Sequence, residues 1–371
     1  MTGESLSASR DEIMEKERRV REFLTTQKLD ALVLTTQANF SWFTCGGYNF
    51  VATASDVGAA SILITPGEKY ILSDNIESPR LLEEEIGSQG FKFVTYKWWK
   101  SSLADEVARL AKGNIGADTP IQGTRLVAGD VAALRYSLTP QEVQRYRWLG
   151  QSTSQCMASS CQKVKPGMTE YQIAGLLSEE LMARGIIPNL ILVATDERAE
   201  KYRHPIPTDK QMRRYAMVVT CARKWGLIVS MTRIVHFGRI SNELRRKHDA
   251  VIQVDAELIS ATRPGQTVGH IFRRCVDAYA RLGFDGEWQF HHQGGATGYA
   301  GRDYRARPGD QTIVQPNQAF AWNPSIAGTK SEDTIIALRD HTEIISAPGD
   351  WPMIDVWVDG QKISRPDILR M

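Results

Sequence analysis

Two periodicities run along this chain. From residue 9 to residue 27, Ile13, Met14, Val20, Phe23 and Leu24 recur at helical spacing with charges between them, which predicts an amphipathic helix. Residues 31–35 form a short apolar run suited to a buried strand. Residues 58–65 and 69–72 read as a hairpin around Pro66-Gly67. A short helix over 78–86, a strand over 91–96 and a helix over 101–111 follow. Alternating helix and strand predict an α/β unit of about 130 residues. Thr139 then stands as an N-cap with Pro140 at the first helical position, and a long helix runs towards Gln162.

The remainder repeats itself. Lys165-Pro-Gly-Met-Thr169 opens one segment and Arg263-Pro-Gly-Gln-Thr267 opens another, 98 residues later. Ile173 matches Ile271, and Gly185-Ile186 matches Gly283-Phe284. In each copy Pro-Gly makes a turn, Thr caps an amphipathic helix and Gly ends it. Strands are expected over 190–195, 217–221 and 227–235 after the first helix, and over 320–323, 334–338 and 343–345 after the second. The fold class is therefore α+β, with domains at 1–138 and 139–371. The second is a pseudo-twofold unit in which a curved antiparallel sheet carries its helices outside.

Charge and cysteine content narrow the function. Lys and Arg number 45 against 43 Asp and Glu, a net charge of +2, too little for a nucleic-acid or membrane-surface partner. No apolar run reaches the about 18 residues a membrane helix needs. Met1 to Arg10 are polar and lack the apolar stretch of a secretory signal. The five cysteines are scattered without a CxxC pair, as expected of reduced thiols in a cytoplasmic protein.

Polar chemistry gathers in four segments. His204, in Tyr202-Arg-His-Pro-Ile-Pro207, sits in a rigid extended loop and is either a general base or a capped surface residue. Along 227–235, alternation turns Ser230 and Thr232 to one face and Met231 and Arg233 to the other. Arg223 and Arg233 either clamp a substrate carboxylate or hold structure. The run Phe290-His291-His292-Gln-Gly294-Gly295 precedes Tyr299 and Arg302. Adjacent strand residues face opposite ways, so one histidine of the pair is expected in the pocket, and the glycines would let a ligand approach the backbone. Last, Asn323-Pro324 precedes Glu332-Asp333, which should point one carboxylate inward and one outward, an inward Glu332 orienting His204.

In order and spacing these segments resemble the creatinase, aminopeptidase P and methionine aminopeptidase superfamily, family M24, whose catalytic domain has the pita-bread fold. Asn39-Phe-Ser-Trp42-Phe-Thr44-Cys-Gly46 resembles a motif of the creatinase-like N-terminal domain. His204-x-x-Pro207 resembles the histidine motif that binds substrate and shuttles protons, His292 falls in the third ligand motif, and Glu332-Asp333-Thr334 resembles the final Glu motif. The peptidases of the family hold two metals with two Asp, one His and two Glu. Here those positions read Val219, Ser230, His292, Asn323 and Glu332. Three lost carboxylates remove the charge a two-metal clamp requires.

The resemblance is closest in logic to creatinase, a metal-free enzyme that hydrolyses a C–N bond. It implies a metal-independent hydrolase, or a lyase, of an amide or amidino C–N bond in a small polar, carboxylate-bearing molecule, with no cofactor. His204 would be the general base, with Glu332 and His292 completing the catalytic set. Arg223, Ser230, Arg233, His291, Tyr299, Arg302 and Asn323 would bind substrate. Two alternatives stay open: a non-catalytic binding module on the same fold, and a metal-dependent Xaa-Pro-type aminopeptidase. The layout also implies a homodimer, with Phe40, Trp42 or Tyr48 reaching the partner's site and Trp98 and Trp99 exposed.

Overall fold

Ser9 caps the first helix, Arg10–Gln27, its hydroxyl accepting the Glu12 amide at 3.2 Å. The computed structural model describes residues 9–371 apart from Ser88 and Pro348. Most of the expectation for Met1 to Arg10 therefore lies outside the described residues. The chain divides into two units. One comprises Met1–Arg135 with Thr139–Glu142 and Trp225–Leu227; the other comprises Tyr136–Leu138, Val143–Lys224 and Ile228–Met371.

The first unit is built on a six-stranded mixed sheet. Its order is Lys92–Tyr96, Lys69–Asp74, Val57–Ile64, Ala31–Thr36, Ile115–Ala117 and Arg125–Leu126. The hairpin expected around Pro66-Gly67 is present, with Ile64 opposite Lys69. The Asn39 motif forms a helix, Gln37–Phe43, that the apolar pattern does not reveal. One carboxylate organises it: Asp118 accepts the amides of Thr35 and Thr36 at 2.8 and 3.0 Å and the Asn39 side-chain amide at 2.8 Å. Phe40 and Trp42 are fully buried inside this unit. Tyr48 accepts the Trp225 amide at 2.6 Å within the same unit. Phe40 and Trp42 therefore belong to the unit's own core and do not reach out to a partner. Trp98 and Trp99 are exposed, packed edge to face at 5.6 Å.

In the second unit both repeat helices form where the Pro-Gly-x-Thr signal puts them. Thr169 caps Glu170–Met182 and accepts the Gln172 amide, while Gln172 accepts the Thr169 amide at 2.8 Å. Thr267 caps Val268–Arg281. The expectation of a single antiparallel sheet is corrected. Ile187–Thr195, Tyr215–Lys224 and Leu227–His236 lie in one sheet, with Leu369–Arg370 added parallel to Leu227–His236. Gly294–Thr297, Gln318–Trp322, Asp333–Ala337 and Thr342–Ile344 lie in a second, with Tyr304–Arg305 at its edge.

The two sheets meet along their inner strands. Ile228 donates to the carbonyl of Gly298 at 2.8 Å, and Thr232 donates to that of Glu332 at 3.1 Å. Between those, the Ser230 amide donates to Thr334 Oγ1 at 2.8 Å. This seam carries Ser230, Thr232 and Glu332 to one place. Asn242–Ala261, a helix the apolar pattern leaves unread, is buried along its second half and packs on Val268–Arg281. Among the described residues no helix is long and apolar enough to cross a membrane.

Candidate active site

The loop bearing His204 leaves the short helix Glu197–Lys201 and is pinned to the first sheet, where the Val193 amide donates to the Pro205 carbonyl at 3.2 Å. Pro205 and Pro207 narrow its conformations. His204 remains solvent-exposed. Its Nε2 lies 3.1 Å from Nε2 of His291, one of the two carrying the shared proton. His292 completes a trio: ring centroids are 4.6 Å apart for His291 and His292, and 5.7 Å for His204 and His292.

Both histidines of the pair thus approach His204, contrary to the expectation that only one could. The alternation rule fails because His291 and His292 are not in the ladder. They follow a 3-10 turn, Glu287–Phe290, and the strand begins only at Gly294. Gln293 holds this bend: its amide donates to the Trp288 carbonyl at 3.0 Å, and its carbonyl accepts the Tyr279 hydroxyl at 2.9 Å. On the other side of His291, Nδ1 lies 3.2 Å from Ser325 Oγ, which accepts Arg203 Nη1 at 3.2 Å. Arg203 is in turn paired with Glu287.

The glycines after the pair have a structural task in place of the ligand approach expected of them. A Cβ on Gly294 (φ 109°) would sit 2.2 Å from the Ala321 carbonyl oxygen, and one on Gly295 would sit 2.1 Å from that of Tyr304. The neighbouring strands, not a ligand, make the close approach.

All three imidazoles are depressed, His291 and His292 by burial and His204 by the partial cover its neighbours give an otherwise exposed ring. His204 is lowered by burial and by Lys330, with Glu332 pulling the other way. His291 is lowered strongly by burial, then by Lys330 and the neighbouring rings. His292 falls to about 3 through burial, Arg302 and Arg305. All three are neutral at pH 7, so their ring nitrogens offer lone pairs.

Glu332 is buried at the seam between the sheets. It accepts Lys330 Nζ at 2.6 Å, Thr232 Oγ1 at 2.7 Å and Arg302 Nη2 at 3.3 Å. Burial alone would raise its pKa, but Lys330 and Arg302 outweigh it and hold the carboxyl below its ordinary value. Glu332 acts on His204 by charge; the hydrogen bond of His204 goes to His291. Arg302 also reaches Ser230 Oγ at 3.4 Å, and that hydroxyl lies 3.3 Å from Cys221 Sγ.

Asp333 does not face outward as expected. It is as buried as Glu332, bound to Arg233 at 2.8 Å and Arg365 at 2.7 Å. Strand alternation sends it to the opposite side of the seam, where Arg365 also binds Asp255 at 2.5 Å. Arg233 is therefore a structural partner of Asp333 and not a clamp for substrate. Asn323 is buried, and its Oδ1 has no hydrogen-bond partner among the described residues. Tyr299 is buried, as is Arg223, which lies opposite Ile187 at the end of Tyr215–Lys224.

Lys330, Arg203 and Ser325 join the site without having been singled out from sequence. The one available signal was the Lys330-x-Glu332 spacing, which puts two side chains on one face of an extended segment.

Comparison with known proteins matches residues 144–343 to the family described as Metallopeptidase family M24. An uncharacterized peptidase of Staphylococcus saprophyticus is 22% identical over 356 residues, covering 88% of this chain and 97% of that protein. An Xaa-Pro dipeptidase from Bacillus anthracis superposes with a TM-score of 0.76 at 18% identity, over 97% of this chain and 100% of the other. The prolidase from Pyrococcus horikoshii gives 0.77 at 16% identity, over 90% and 98%. The fold they share with this chain is the α+β pita-bread fold.

The residues present do not fit the pair of metals such a family name implies. Val219 is an apolar side chain packed with Leu192, Met217 and Ile234. Ser230 and Asn323 bring no charge, and the one remaining carboxylate, Glu332, is occupied by an ammonium, a guanidinium and a hydroxyl. Hard divalent cations require several free carboxylate oxygens, and this cluster has none to spare.

Proposed function

Because the chain belongs to metallopeptidase family M24, yet sets Lys330 and Arg302 on the carboxylate where that chemistry needs metal, we propose that it is a metal-independent hydrolase. Its substrate is the amide or amidino C–N bond of a small molecule bearing a carboxylate. The observation that carries this reading is the engagement of Glu332 by Lys330 and Arg302 at 2.6 and 3.3 Å. Two cations against one carboxylate leave a net positive charge beside His204, suited to a substrate carboxylate or to the oxyanion that develops at the attacked carbon.

The protein groups can balance the chemistry. His204, neutral and accessible, takes a proton from water as the water oxygen bonds to the carbon of the scissile group. Arg302 and Lys330 bear the charge that collects on the carbonyl oxygen or amidino nitrogen. Collapse breaks the C–N bond, and the imidazolium of His204 returns its proton to the leaving nitrogen. One water is consumed and no proton is left over. His291, bonded to His204 through Nε2 and backed by Ser325 and Arg203, fixes the ring and its tautomer.

The test is a panel of N-acyl and guanidino carboxylic acids assayed after dialysis against a chelator. We expect turnover that survives dialysis and falls about 10²–10⁴-fold in His204→Ala. Turnover that appears only on adding Mn²⁺ would overturn the reading in favour of a metal-dependent peptidase. Absence of turnover on every member would overturn it in favour of a binding module.

A further inference from the structure

We propose that His204, His291 and His292 form a binding site for one first-row divalent cation of the zinc class, held by three imidazole nitrogens. This site shares His292 with the ligand positions of the carboxylate-built pair discussed above, but it uses none of those carboxylates and takes its other two ligands, His204 and His291, from outside that set.

Geometry supports it. One ligand atom from each of the three residues lies within 4.8 Å of the other two. Two nitrogens at zinc-bond distance from one tetrahedral ion sit about 3.3–3.4 Å apart. The Nε2 atoms of His204 and His291 are already at 3.1 Å. Closing the third ring in takes a shift of about an ångström, within the scope of a small side-chain rotation. His291 also has the outer partner that metal-bound histidines have: with Nε2 facing the ion, its Nδ1 proton donates to Ser325 Oγ, 3.2 Å away. Independently, the buried Nδ1 of His292 has no hydrogen-bond partner among the described residues. Such an orphan is costly unless something binds it.

Soft-to-borderline imidazole donors select zinc, cobalt or nickel over magnesium or calcium. Arg302 and Lys330 keep the surroundings positive, so an anion such as hydroxide or chloride is expected in the fourth position. The inference does not depend on the hydrolase reading. Under that reading the ion would occupy the lone pair of His204, so Zn²⁺ slows turnover and a chelator relieves it.

The experiment uses untagged, chelator-stripped full-length protein titrated with Co²⁺, read by its visible d–d absorption, with Zn²⁺ as competitor. We expect saturation at one equivalent, displacement by Zn²⁺, loss of the signal in His291→Gln and His292→Gln, and weakening of about tenfold in Ser325→Ala. Absence of a saturable one-equivalent signal in the wild-type protein overturns the proposal, as does unchanged affinity in both histidine variants. X-ray absorption of the zinc-loaded wild-type protein reads the ligands without any variant. Three imidazoles at about 2.0 Å support the site, and fewer than three overturn it. None of these readouts involves turnover, so an inactive protein that binds the ion would refute only the hydrolase.

Discussion

Glu332 is buried and meets two cations and a hydroxyl, and this decides how each of those residues responds to change. An ion pair so buried adds little over an apolar substitute, but breaking it from one side leaves a bare charge. Lys330→Met should therefore lower stability by about 3 kcal/mol, and Glu332→Gln by a similar amount. The double variant should cost less than the sum, with a coupling of about 1–3 kcal/mol by urea unfolding. Strict additivity would show that Lys330 and Glu332 do not form the pair seen at 2.6 Å. Glu332 was legible in the sequence because an acidic pair opening an apolar strand is unusual. Lys330 was not, since a lysine two residues earlier reads as a solvated turn until the seam between the sheets covers it. The same burial reassigns Arg233 and Asp333, whose bond joins two strands a hundred residues apart.

At the scale of elements, the repeat helices were readable because their signals are local. A threonine at the N-cap bonds an amide three residues away, and no distant contact is needed. Thr267→Ala should cost about 1 kcal/mol without changing ligand binding. Gly294→Ala should cost more, because its Cβ would meet the Ala321 carbonyl at 2.2 Å and the backbone sits at positive φ. We expect a loss above about 2 kcal/mol, together with displaced histidines, visible as altered His204–His291 coupling in imidazole NMR spectra. A silent Gly294→Ala would refute the close packing of Gly294–Thr297 on Gln318–Trp322. The His291-His292 pair was found from sequence, but its direction was misjudged. Alternation applies to residues in a ladder, and this pair lies in the bend that leads into one. Asn242–Ala261 escaped notice for the opposite reason: nearly all of its second half is buried, so it has no polar face to give it a helical period.

For the molecule as a whole, the histidines set the acid limit. Five of the seven have lowered pKa values: His204, His236, His248, His291 and His292, with His248 at about 4 and His292 at about 3. Burial is the first cause in each. An unfolded chain takes up protons at these residues near the ordinary imidazole pKa of 6.5, while the folded chain resists. The unfolded state therefore binds more protons below that pH, and stability rises with pH across this window. In chelator-containing buffer, the melting temperature should be level above about pH 7.5 and fall between pH 6.5 and 4. A well-shielded ring such as His248 contributes up to about 1.4 kcal/mol per pH unit; the exposed His204 contributes less. His248→Asn should flatten this limb. A melting temperature that is constant down to pH 4 would contradict the burial of these rings.

The sequence by itself determined the α+β class, the duplicated helix starts, the segments that bear His204, the histidine pair and Glu332, and the absence of three carboxylates. These are carried by local period, caps and residue identity, none of which depends on what lies across the fold. Tertiary structure decided the partners. It joined two sheets so that Lys330 and Arg302 neutralise Glu332, turned Asp333 into a buried structural group, and gathered three imidazoles from two distant segments, one ligand atom of each within 4.8 Å of the others. Charge pairing and ligand geometry act over a few ångströms between residues far apart in the chain, and only the folded arrangement fixes those distances.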